Sequence, residues 1–259
     1  MKHHHCRAGA SSAGQPERLP YNSGAIFAAL DVYHDDTAHS AAMNMAIDEA
    51  LLEQAPVPSI RFYQWRSPAL SFGYFGRFSD VATCTSGRDL VRRWTGGGIV
   101  FHGDDLTYSI VIPASDAAFG ESSIWIYEKI HCALAEALAE TGRHAVVAGV
   151  GDPGARNPAV MVSRAGINDA GYSCFTNPVR ADVMVDGRKI AGAAQRRTRQ
   201  GLLHQGSIQG IDAVNCLADR FARALSTNCT ERKIDEEILN RARELAHDKY
   251  GADFWLRKR

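Results

Sequence analysis

The feature that most constrains this chain is a run of three glycines between two segments typical of β-strands. Gly96, Gly97 and Gly98 follow the strand-like residues 89–94 and precede the apolar residues 99–102. Glycine adopts positive φ angles at no steric cost, so this run allows a sharp turn and a close approach to another group. Exposed N–H groups in such a loop can bind a carbonyl, carboxylate or phosphate oxygen. No Gly-Lys-Ser/Thr or dinucleotide-binding spacing follows, which excludes the two common phosphate loops.

Segments on both sides of the glycine run have either strand or helix patterns. Apolar residues at helical spacing predict one helix over 41–54, with Ser40 as its N-cap, and another over 123–140. Residues of β-branched and aromatic type predict strands over 59–65, 69–76, 89–94, 99–102, 106–113 and 201–210. The pattern predicts an α+β fold of mixed β-sheets with packed helices.

Two turns predict how some of these strands pair. Gly103-Asp104-Asp105 separates two apolar segments, so 99–102 and 106–113 are expected to form a strand pair. Asp186-Gly187 is typical of a tight hairpin turn and predicts a hairpin over 181–197.

The length and composition fit one soluble-type domain. Of 259 residues, 45% are hydrophobic and 22% charged, which is enough apolar material for a core. We expect a disordered tail over 1–24, a single domain over 25–259, and a helical segment from Ile211 onward. The adjacent His3, His4 and His5 are interpreted as a tag remnant or a solvated tail in preference to a metal site.

The charge balance disfavours general nucleic-acid binding. Lys+Arg and Asp+Glu both number 29, whereas nucleic-acid binders usually carry a basic excess. Arg196, Arg197 and Arg199 nevertheless offer a local basic patch for an acidic protein partner. No segment approaches the ~20 apolar residues of a membrane helix, and no signal peptide is evident, so a cytoplasmic location is expected.

Six dispersed cysteines without a C-x-x-C pair are expected to be free thiols. Cys132 and Cys216 lie in helical patterns and are interpreted as packing residues. Cys174 lies in the polar segment GYSCFTNP, after a Gly-, Pro-, Asn- and Asp-rich stretch over 150–171 that is expected to form a long loop. Taken alone, a thiol in such a loop is more often structural than catalytic, unless nearby cations lower its pKa.

After the glycine run and Cys174, the third candidate for a functional group is a lysine in a hairpin of small residues. Lys189 precedes the small residues 191–194, which let another group pack close to the backbone. Its ammonium could stabilise an anion or orient an acyl carbonyl, and His204 could donate to or accept from the same group. Taken separately, these residues are more often an exposed hairpin lysine and a buried structural histidine than functional groups.

Together, these segments resemble the biotin/lipoate A/B protein ligase superfamily. RRWTGGGIVFH (92–102) is similar to that family's RR-x-[ST]-GG-x-x-x-x-H motif. GRKIAGAAQRR (187–197) and LLHQGSI (202–208) are similar to its lysine and H-x-G motifs, and HSAAMNMAIDEALL (39–52) to its early helix. The resemblance implies a biotin/lipoate ligase-type catalytic domain.

Within the superfamily, the resemblance is strongest to LipM-type octanoyltransferases. Cys174-Phe175 stands shortly before Lys189, where those enzymes carry a Cys-Phe pair, and typical lipoate ligases lack this cysteine. About 50 residues follow Ile208, which suits closing helices and not the extra domain that ligases tend to carry. Gly98 departs from the octanoyltransferase pattern, in which an arginine often follows TGG, and so leaves ATP-dependent lipoate ligation open.

The resemblance implies a two-step acyl transfer. Octanoate would pass from octanoyl-acyl carrier protein to Cys174 as a thioester, with Lys189 as its cationic partner, and then to a lysine of a lipoyl domain or glycine-cleavage H protein. The residues implied to line the acyl pocket are Arg93, Gly96, Gly97, Gly98, His102, Gly192, His204 and Gly206.

No metal site, cofactor, nucleic acid or membrane is expected to take part, and ATP and Mg²⁺ would be needed only by a ligase. The alternatives are a lipoate–protein ligase, a lipoyl amidotransferase and, from another class, a non-catalytic lipoyl-binding module. Retention of both Cys174 and Lys189 argues against the binding module.

Overall fold

The computed structural model describes residues 24–84, 86–150, 179–210 and 216–258. Its strands are β1 Leu30–His39, β2 Ser59–Trp65, β3 Ala69–Phe72, β4 Asp89–Arg92, β5 Ile99–His102, β6 Leu106–Pro113, β7 Ala145–Val147, β8 Val183–Val185, β9 Arg188–Arg197, β10 Gly201–Ile208 and β11 Cys229–Arg232. Its helices are α1 Ala41–Gln54, α2 Ser123–Ala139, α3 Leu217–Leu225, α4 Glu236–Leu245 and α5 Asp253–Leu256, with a π-helical turn at Ala246–Tyr250. The predicted α+β class, with mixed sheets and packed helices, is confirmed.

Eight strands form a large mixed sheet in the order β11-β1-β2-β6-β10-β9-β8-β7. Strand β1 is parallel to both of its neighbours, and the other pairs are antiparallel. Strand β9 pairs with β10 along most of its length but with β8 only through Arg188–Ala191. Among the described residues, no strand pairs with the β8-facing edge of β9 beyond Ala191.

Helices cover both faces of the large sheet. Ile110 and Ile112 of β6 pack in the cluster that contains α2 and α3, whereas Val111 packs in the cluster that contains α1 and α4. Successive side chains of a strand point to opposite faces, so the two clusters lie on opposite sides of the sheet. Ser40 caps α1 as predicted, because its side chain accepts from Met43 N at 3.3 Å.

The expected pairing of 99–102 with 106–113 is wrong. β5 pairs with β3 in a separate three-stranded sheet of order β4-β3-β5, whereas β6 pairs with β2 and β10 in the large sheet. Asp105 explains the change of sheet. Its carboxylate accepts from the Gly103 N–H at 3.1 Å and contacts the His102 ring at 2.8 Å, so the turn is stabilised by side-chain bonds and needs no hairpin ladder.

Other local predictions agree with the structure more closely. The hairpin over 181–197 is confirmed, and Asp186 and Gly187 both have positive φ, at 49° and 74°. The strand predicted over 69–76 ends at Phe72. The helices of the C-terminal segment are confirmed, although β11 interrupts them. Strand β1 was not predicted, because the charged and polar residues of LDVYHDDTAH show no alternation of apolar and polar side chains.

The cysteine expectation is only partly correct. Cys84, Cys132 and Cys229 are free thiols, as expected. Cys216 is disulfide-bonded, which corrects its interpretation as a packing residue of a helix interior. It occupies the N-cap position of α3 with φ at 80°.

Within the described residues, no group of three or more His, Cys, Asp or Glu side chains is arranged to hold a metal ion. In the same part of the chain, no helix has the length and apolar character needed to cross a membrane. The predicted long loop over 150–171, apart from Val150, and the predicted tail, apart from Gly24, fall outside the described ranges.

Candidate active site

Lys189 is a buried cation paired with a buried carboxylate. Its Nζ lies 2.8 Å from Asp182 Oδ2, and the two side chains are 5% and 0% exposed. Asp182 Oδ2 also accepts from the Val179 N–H at 2.7 Å. Gly192 makes room for this pair, because a Cβ at that position would lie 2.7 Å from Lys189 Cε and 2.8 Å from Nζ. The sequence-based alternative of an exposed hairpin lysine is therefore excluded.

Tyr127 of α2 contacts both Asp182 and the edge of β9. Its hydroxyl lies 3.1 Å from Asp182 Oδ1 and accepts from the Ala193 N–H at 2.8 Å. The same oxygen lies 3.2 Å from the Ala193 carbonyl. Because a carboxylate is a stronger acceptor than a carbonyl, we expect the Tyr127 hydroxyl to donate its hydrogen bond to Asp182. One side chain thus links the lysine–carboxylate pair to the strand edge.

The glycine loop lies on the same face of β9 as the Lys189 ammonium. Gly97, with φ at 83°, would place a Cβ 3.3 Å from Ala194 Cβ. Gly192 and Ala194 are two residues apart on β9, so their Cβ positions point to one face and lie about 7 Å apart along the strand. The glycine run and Lys189, which sequence analysis treated as separate candidates, are thereby brought together.

Arg93 holds the loop from behind. Its Nη2 donates to the carbonyl oxygens of Gly96 at 3.0 Å and Gly98 at 2.8 Å. Its Nη1 donates to Ser71 Oγ at 2.6 Å. Two prongs of one planar guanidinium therefore determine the orientation of the loop peptides. Arg92, the other half of the RR pair, turns the opposite way and donates to carbonyls near the C-terminus.

His102 has the geometry of a catalytic triad but not its accessibility. Its Nε2 lies 2.7 Å from Ser71 Oγ and its Nδ1 2.8 Å from Asp105 Oδ2, while its ring stacks on Trp65 with centroids 4.0 Å apart. Ser71 is fully buried and its oxygen already accepts from Arg93. Burial lowers the pKa of His102 more than the neighbouring Asp105 raises it. The histidine is thus placed to orient Ser71 and Arg93.

A buried carboxylate on α1 explains the early helix motif. Asp48 accepts from Arg61 at 2.8 Å, Ser109 at 2.7 Å and Gln205 Nε2 at 2.7 Å. Gln205 Oε1 in turn accepts from Thr95 Oγ1 at 2.7 Å. The residue that begins the glycine loop is therefore bonded, through one glutamine, to the first helix.

His204 and Gly206 lie inside the large sheet and not at an open surface. His204 is fully buried, and its two ring nitrogens contact Tyr108 Oη at 3.4 Å and Gln195 Nε2 at 3.0 Å. A Cβ on Gly206 would lie 2.2 Å from Tyr108 Cζ, so this glycine allows the tyrosine ring to cross the strand. The H-x-G motif therefore supports the site through packing and hydrogen bonds.

The basic patch is divided by strand alternation. The Arg196 guanidinium lies over the rings of Tyr74 at 4.9 Å and Trp94 at 5.2 Å, beside the glycine loop. Arg197 instead donates to the carbonyl oxygens of Phe119 and Glu121. Of Arg196 and Arg197, only Arg196 lies on the same face of β9 as the Lys189 ammonium and the glycine loop.

Of the predicted site residues, Lys189, Gly192, Arg93 and Gly96–Gly98 share this face or support it directly. Cys174 lies outside the described residues, so its role as nucleophile remains a prediction. Sequence analysis missed Asp182, Tyr127 and Ser71. Tyr127 and His131, four residues apart, occupy one face of a helix whose buried residues are otherwise apolar, and that spacing is the signal that could have indicated them.

The chain matches one family model over most of its length. A model described as the lipoyl protein ligase A/B catalytic domain matches residues 40–246. The octanoyltransferase LipM of Symbiobacterium thermophilum is 32% identical, covering 85% of this chain and 96% of that protein. The octanoyltransferase LipM of Carboxydothermus hydrogenoformans is 34% identical, covering 84% and 75%.

Solved structures agree on the fold. A crystal structure of lipoate-protein ligase A bound with ATP superposes with a TM-score of 0.63 at 22% identity, covering 89% of this chain and 98% of that one. A bi-partite lipoate protein ligase from Thermoplasma acidophilum gives 0.60 at 20% identity, covering 89% and 96%. At these identities the likeness concerns the fold alone. Together with the family model and the relatives, it shows that this chain belongs to the family of lipoyl protein ligase A/B catalytic domains.

Proposed function

We propose that this protein is an octanoyltransferase of lipoate assembly that works in the cytoplasm. Two curated octanoyltransferases align with more than four fifths of the chain at over 30% identity. The observation that carries the proposal to a mechanism is the buried Lys189–Asp182 pair on the face of β9 that meets the glycine loop.

In the first step, the Cys174 thiolate attacks the thioester carbonyl of octanoyl-acyl carrier protein. The new C–S bond forms to Cys174, the C–S bond to the carrier breaks, and the carrier thiolate leaves and takes a proton. Thioester exchange is nearly balanced in energy, so positioning and stabilisation of the developing oxyanion are what the enzyme must supply. No ATP or metal is proposed to take part.

In the second step, a neutral lysine amine of a lipoyl domain or glycine-cleavage H protein attacks the octanoyl-Cys174 thioester. The C–N bond forms, the C–S bond breaks, and the amine loses a proton while the thiolate is regenerated. The amide is more stable than the thioester, which drives the cycle forward. Lys189, kept beside Asp182 at 2.8 Å, supplies the fixed positive charge that favours the thiolate and the oxyanion.

The glycine loop is proposed to hold the acyl carbonyl. Arg93 occupies the carbonyl oxygens of Gly96 and Gly98. A Cβ on Gly96 would meet no heavy atom of the described residues within 4 Å. Loop N–H groups beside Gly96 are candidate donors to an acyl oxygen. His102, His204 and Gly206 support these parts from the protein interior.

Mass spectrometry after mixing the protein with octanoyl-acyl carrier protein, without ATP, tests the proposal. A stable octanoyl adduct on Cys174 is expected, followed by its loss when a lipoyl domain is added. Cys174→Ala should abolish both adduct and transfer, whereas Cys132→Ala, on α2, should leave both unchanged. Transfer to the lipoyl domain by the Cys174→Ala variant would contradict the thioester mechanism.

The same assay separates the alternatives. Transfer that requires ATP and free lipoate would indicate a lipoate–protein ligase, and transfer from a lipoylated protein would indicate an amidotransferase. Binding of a lipoyl domain without any turnover would indicate a binding module.

A further inference from the structure

A chain of buried hydrogen bonds runs behind the Lys189–Asp182 pair. It begins at Gln195 of β9, passes through His204 and Tyr108, and ends where His131 Nδ1 meets the Ala181 carbonyl oxygen at 2.5 Å. The Tyr108 hydroxyl lies 3.2 Å from His131 Nε2 and 3.4 Å from His204 Nε2. Both imidazoles and the phenol ring are fully buried.

The direction of every bond follows from the carbonyl at the end. A carbonyl oxygen only accepts, so His131 Nδ1 carries a proton and donates to Ala181. Burial keeps His131 neutral, because it lowers the pKa of the imidazole to about 4, so Nε2 must accept from the Tyr108 hydroxyl. The tyrosine oxygen then accepts from His204 Nε2–H, and His204 Nδ1 accepts from Gln195 Nε2. Only this assignment of donors and acceptors gives every group in the series its hydrogen bonds.

The end of this chain determines the orientation of one peptide. Ala181 has φ at 72°, in the left-handed region that is unfavourable for a residue with a Cβ. The peptide between Ala181 and Asp182 is held at both polar atoms. His131 donates to its carbonyl, and its N–H donates to Val179 O at 3.1 Å. Rotation of this peptide would carry the Asp182 carboxylate away from Lys189.

We propose that His131 is a positioning residue for the reaction, because it fixes the Ala181–Asp182 peptide and thereby the place of Asp182 and Lys189. Groups on every surrounding element face it: Tyr127 on its own helix, Tyr108 on β6, His204 on β10, Lys189 on β9 and Asp182 in the turn. The importance of Lys189 rests on the proposed function, whereas the series of hydrogen bonds from Gln195 to Ala181 does not depend on any reaction.

The tautomers can be measured without an assay of activity. In ¹⁵N-histidine NMR of the full chain at neutral pH, His131 should be the neutral Nδ1–H tautomer and His204 the neutral Nε2–H tautomer. His131 in the Nε2–H or charged form would overturn the chain of bonds, and with it the proposal.

Two substitutions separate the bond from the shape of the ring. In His131→Asn, the amide nitrogen replaces Nδ1 and keeps the donor to Ala181, whereas His131→Gln places its amide near Nε2 and loses that donor. Loss of positioning in the Gln variant should lower the rate constant of octanoyl transfer on the order of a hundredfold at an unchanged KM, and the Asn variant should stay within about threefold of wild type. Modification of Lys189 by acetic anhydride, followed by peptide mapping, should change in the Gln variant alone.

Each outcome bears on the proposal. A folded His131→Gln protein with wild-type transfer and Lys189 labelling would overturn it, as would equal losses in the Asn and Gln variants. If His131→Gln does not fold, the ¹⁵N measurement on the wild-type protein still tests the proposal, because His131 without a proton on Nδ1 overturns it. A wild-type protein without octanoyl transfer would refute the proposed function. The labelling of Lys189 and the histidine tautomers would still test the series of hydrogen bonds and the role of His131.

Discussion

Three glycines of the site have three different physical reasons to be glycine. Gly97 has a positive φ, Gly192 leaves space for the Lys189 side chain, and Gly206 lets the ring of Tyr108 cross a strand. Only the first reason concerns backbone conformation, and the other two concern volume. At the scale of single residues, the site therefore depends on missing methyl groups as much as on charged side chains.

Gly192→Ala tests the space beside the lysine. The new Cβ would lie 2.7 Å from Lys189 Cε, so the flexible end of the lysine must move and its ammonium must leave Asp182. We expect kcat for octanoyl transfer to fall on the order of tenfold or more. The melting temperature should fall as well, because the buried Asp182 carboxylate loses its cationic partner. Gly103→Ala is the matched control, since no heavy atom in the described part of the chain lies within 4 Å of the added Cβ. Equal activities of the two variants would contradict the prediction.

The buried histidines predict a loss of stability in acid. Burial is the main cause that lowers the His131 pKa to about 4, against the hydrogen bond to Ala181 and the charge of Asp182, which raise it. Between about pH 6.5 and 4, the unfolded chain binds this proton and the folded chain does not. The free energy of unfolding should therefore decrease as the pH falls through this window, by about 3 kcal/mol from this group.

Urea unfolding at several pH values measures this effect. The decrease should be smaller in His131→Asn than in wild type, because the substituted side chain does not titrate. Parallel pH profiles of the two proteins would contradict it. His204 and His102 have pKa values lowered in the same direction by burial, so some acid sensitivity should remain in the variant.

At the scale of elements, the site lies where three strands end or open. Strand β3 ends at Phe72, β4 runs into the glycine loop, and β9 continues past the end of β8. Gly73, just after β3, lies against the glycine loop that follows β4. A Cβ there would lie 2.1 Å from Gly97 O, and Tyr74 N donates to Thr95 O at 2.8 Å. The loop is packed backbone against backbone, which explains its fixed position.

Gly73→Ala tests this packing. Because the clashing atoms belong to the backbone of the loop, no side chain can yield, and the loop itself must move. We expect kcat/KM to fall on the order of tenfold or more, together with a loss of about 1–3 kcal/mol in the free energy of unfolding. Gly120→Ala, whose added Cβ would meet no atom of the described ranges within 4 Å, serves as the control in the same transfer and urea experiments. Wild-type activity of Gly73→Ala would show that the loop tolerates displacement.

At the scale of the whole molecule, the C-terminal helix is bonded to the small sheet directly behind the loop. The fully buried Arg92 donates to the carbonyls of Trp255, Leu256 and Lys258, and to those of Tyr74 and Gly76, at 2.7–3.2 Å. Trp255 Nε1 donates back to Arg92 O at 3.0 Å. One guanidinium therefore joins the end of the chain to the strand that leads into the site.

Arg92→Ala tests this connection. Removal of the guanidinium leaves several buried carbonyls without a donor, so the free energy of unfolding should fall by about 3 kcal/mol or more. Arg257→Ala is the matched control, since Arg257 pairs with Asp253 at the exposed surface and should contribute less than about 1 kcal/mol. Urea unfolding of both variants measures the difference, and equal losses would contradict the account.

The local elements were largely predictable, and the pairing of strands was not. Helix α1, helix α2 and the hairpin at Asp186-Gly187 follow from periodicity and turn chemistry, which act between residues near in sequence. The pairing of β5 with β3 does not, because Asp105 satisfies its turn with side-chain bonds that no short-range pattern records.

The sequence by itself determined the family, through the glycine, lysine and H-x-G motifs, and it placed the lysine beside small residues. Only the tertiary structure assigned these residues their partners. Asp182 reaches Lys189 from the turn before β8, Tyr127 reaches Asp182 from a helix, and His204 proved to be part of a buried chain. The physical reason is that hydrogen bonds and packing are made by residues distant in sequence, whose meeting depends on sheet order and strand register.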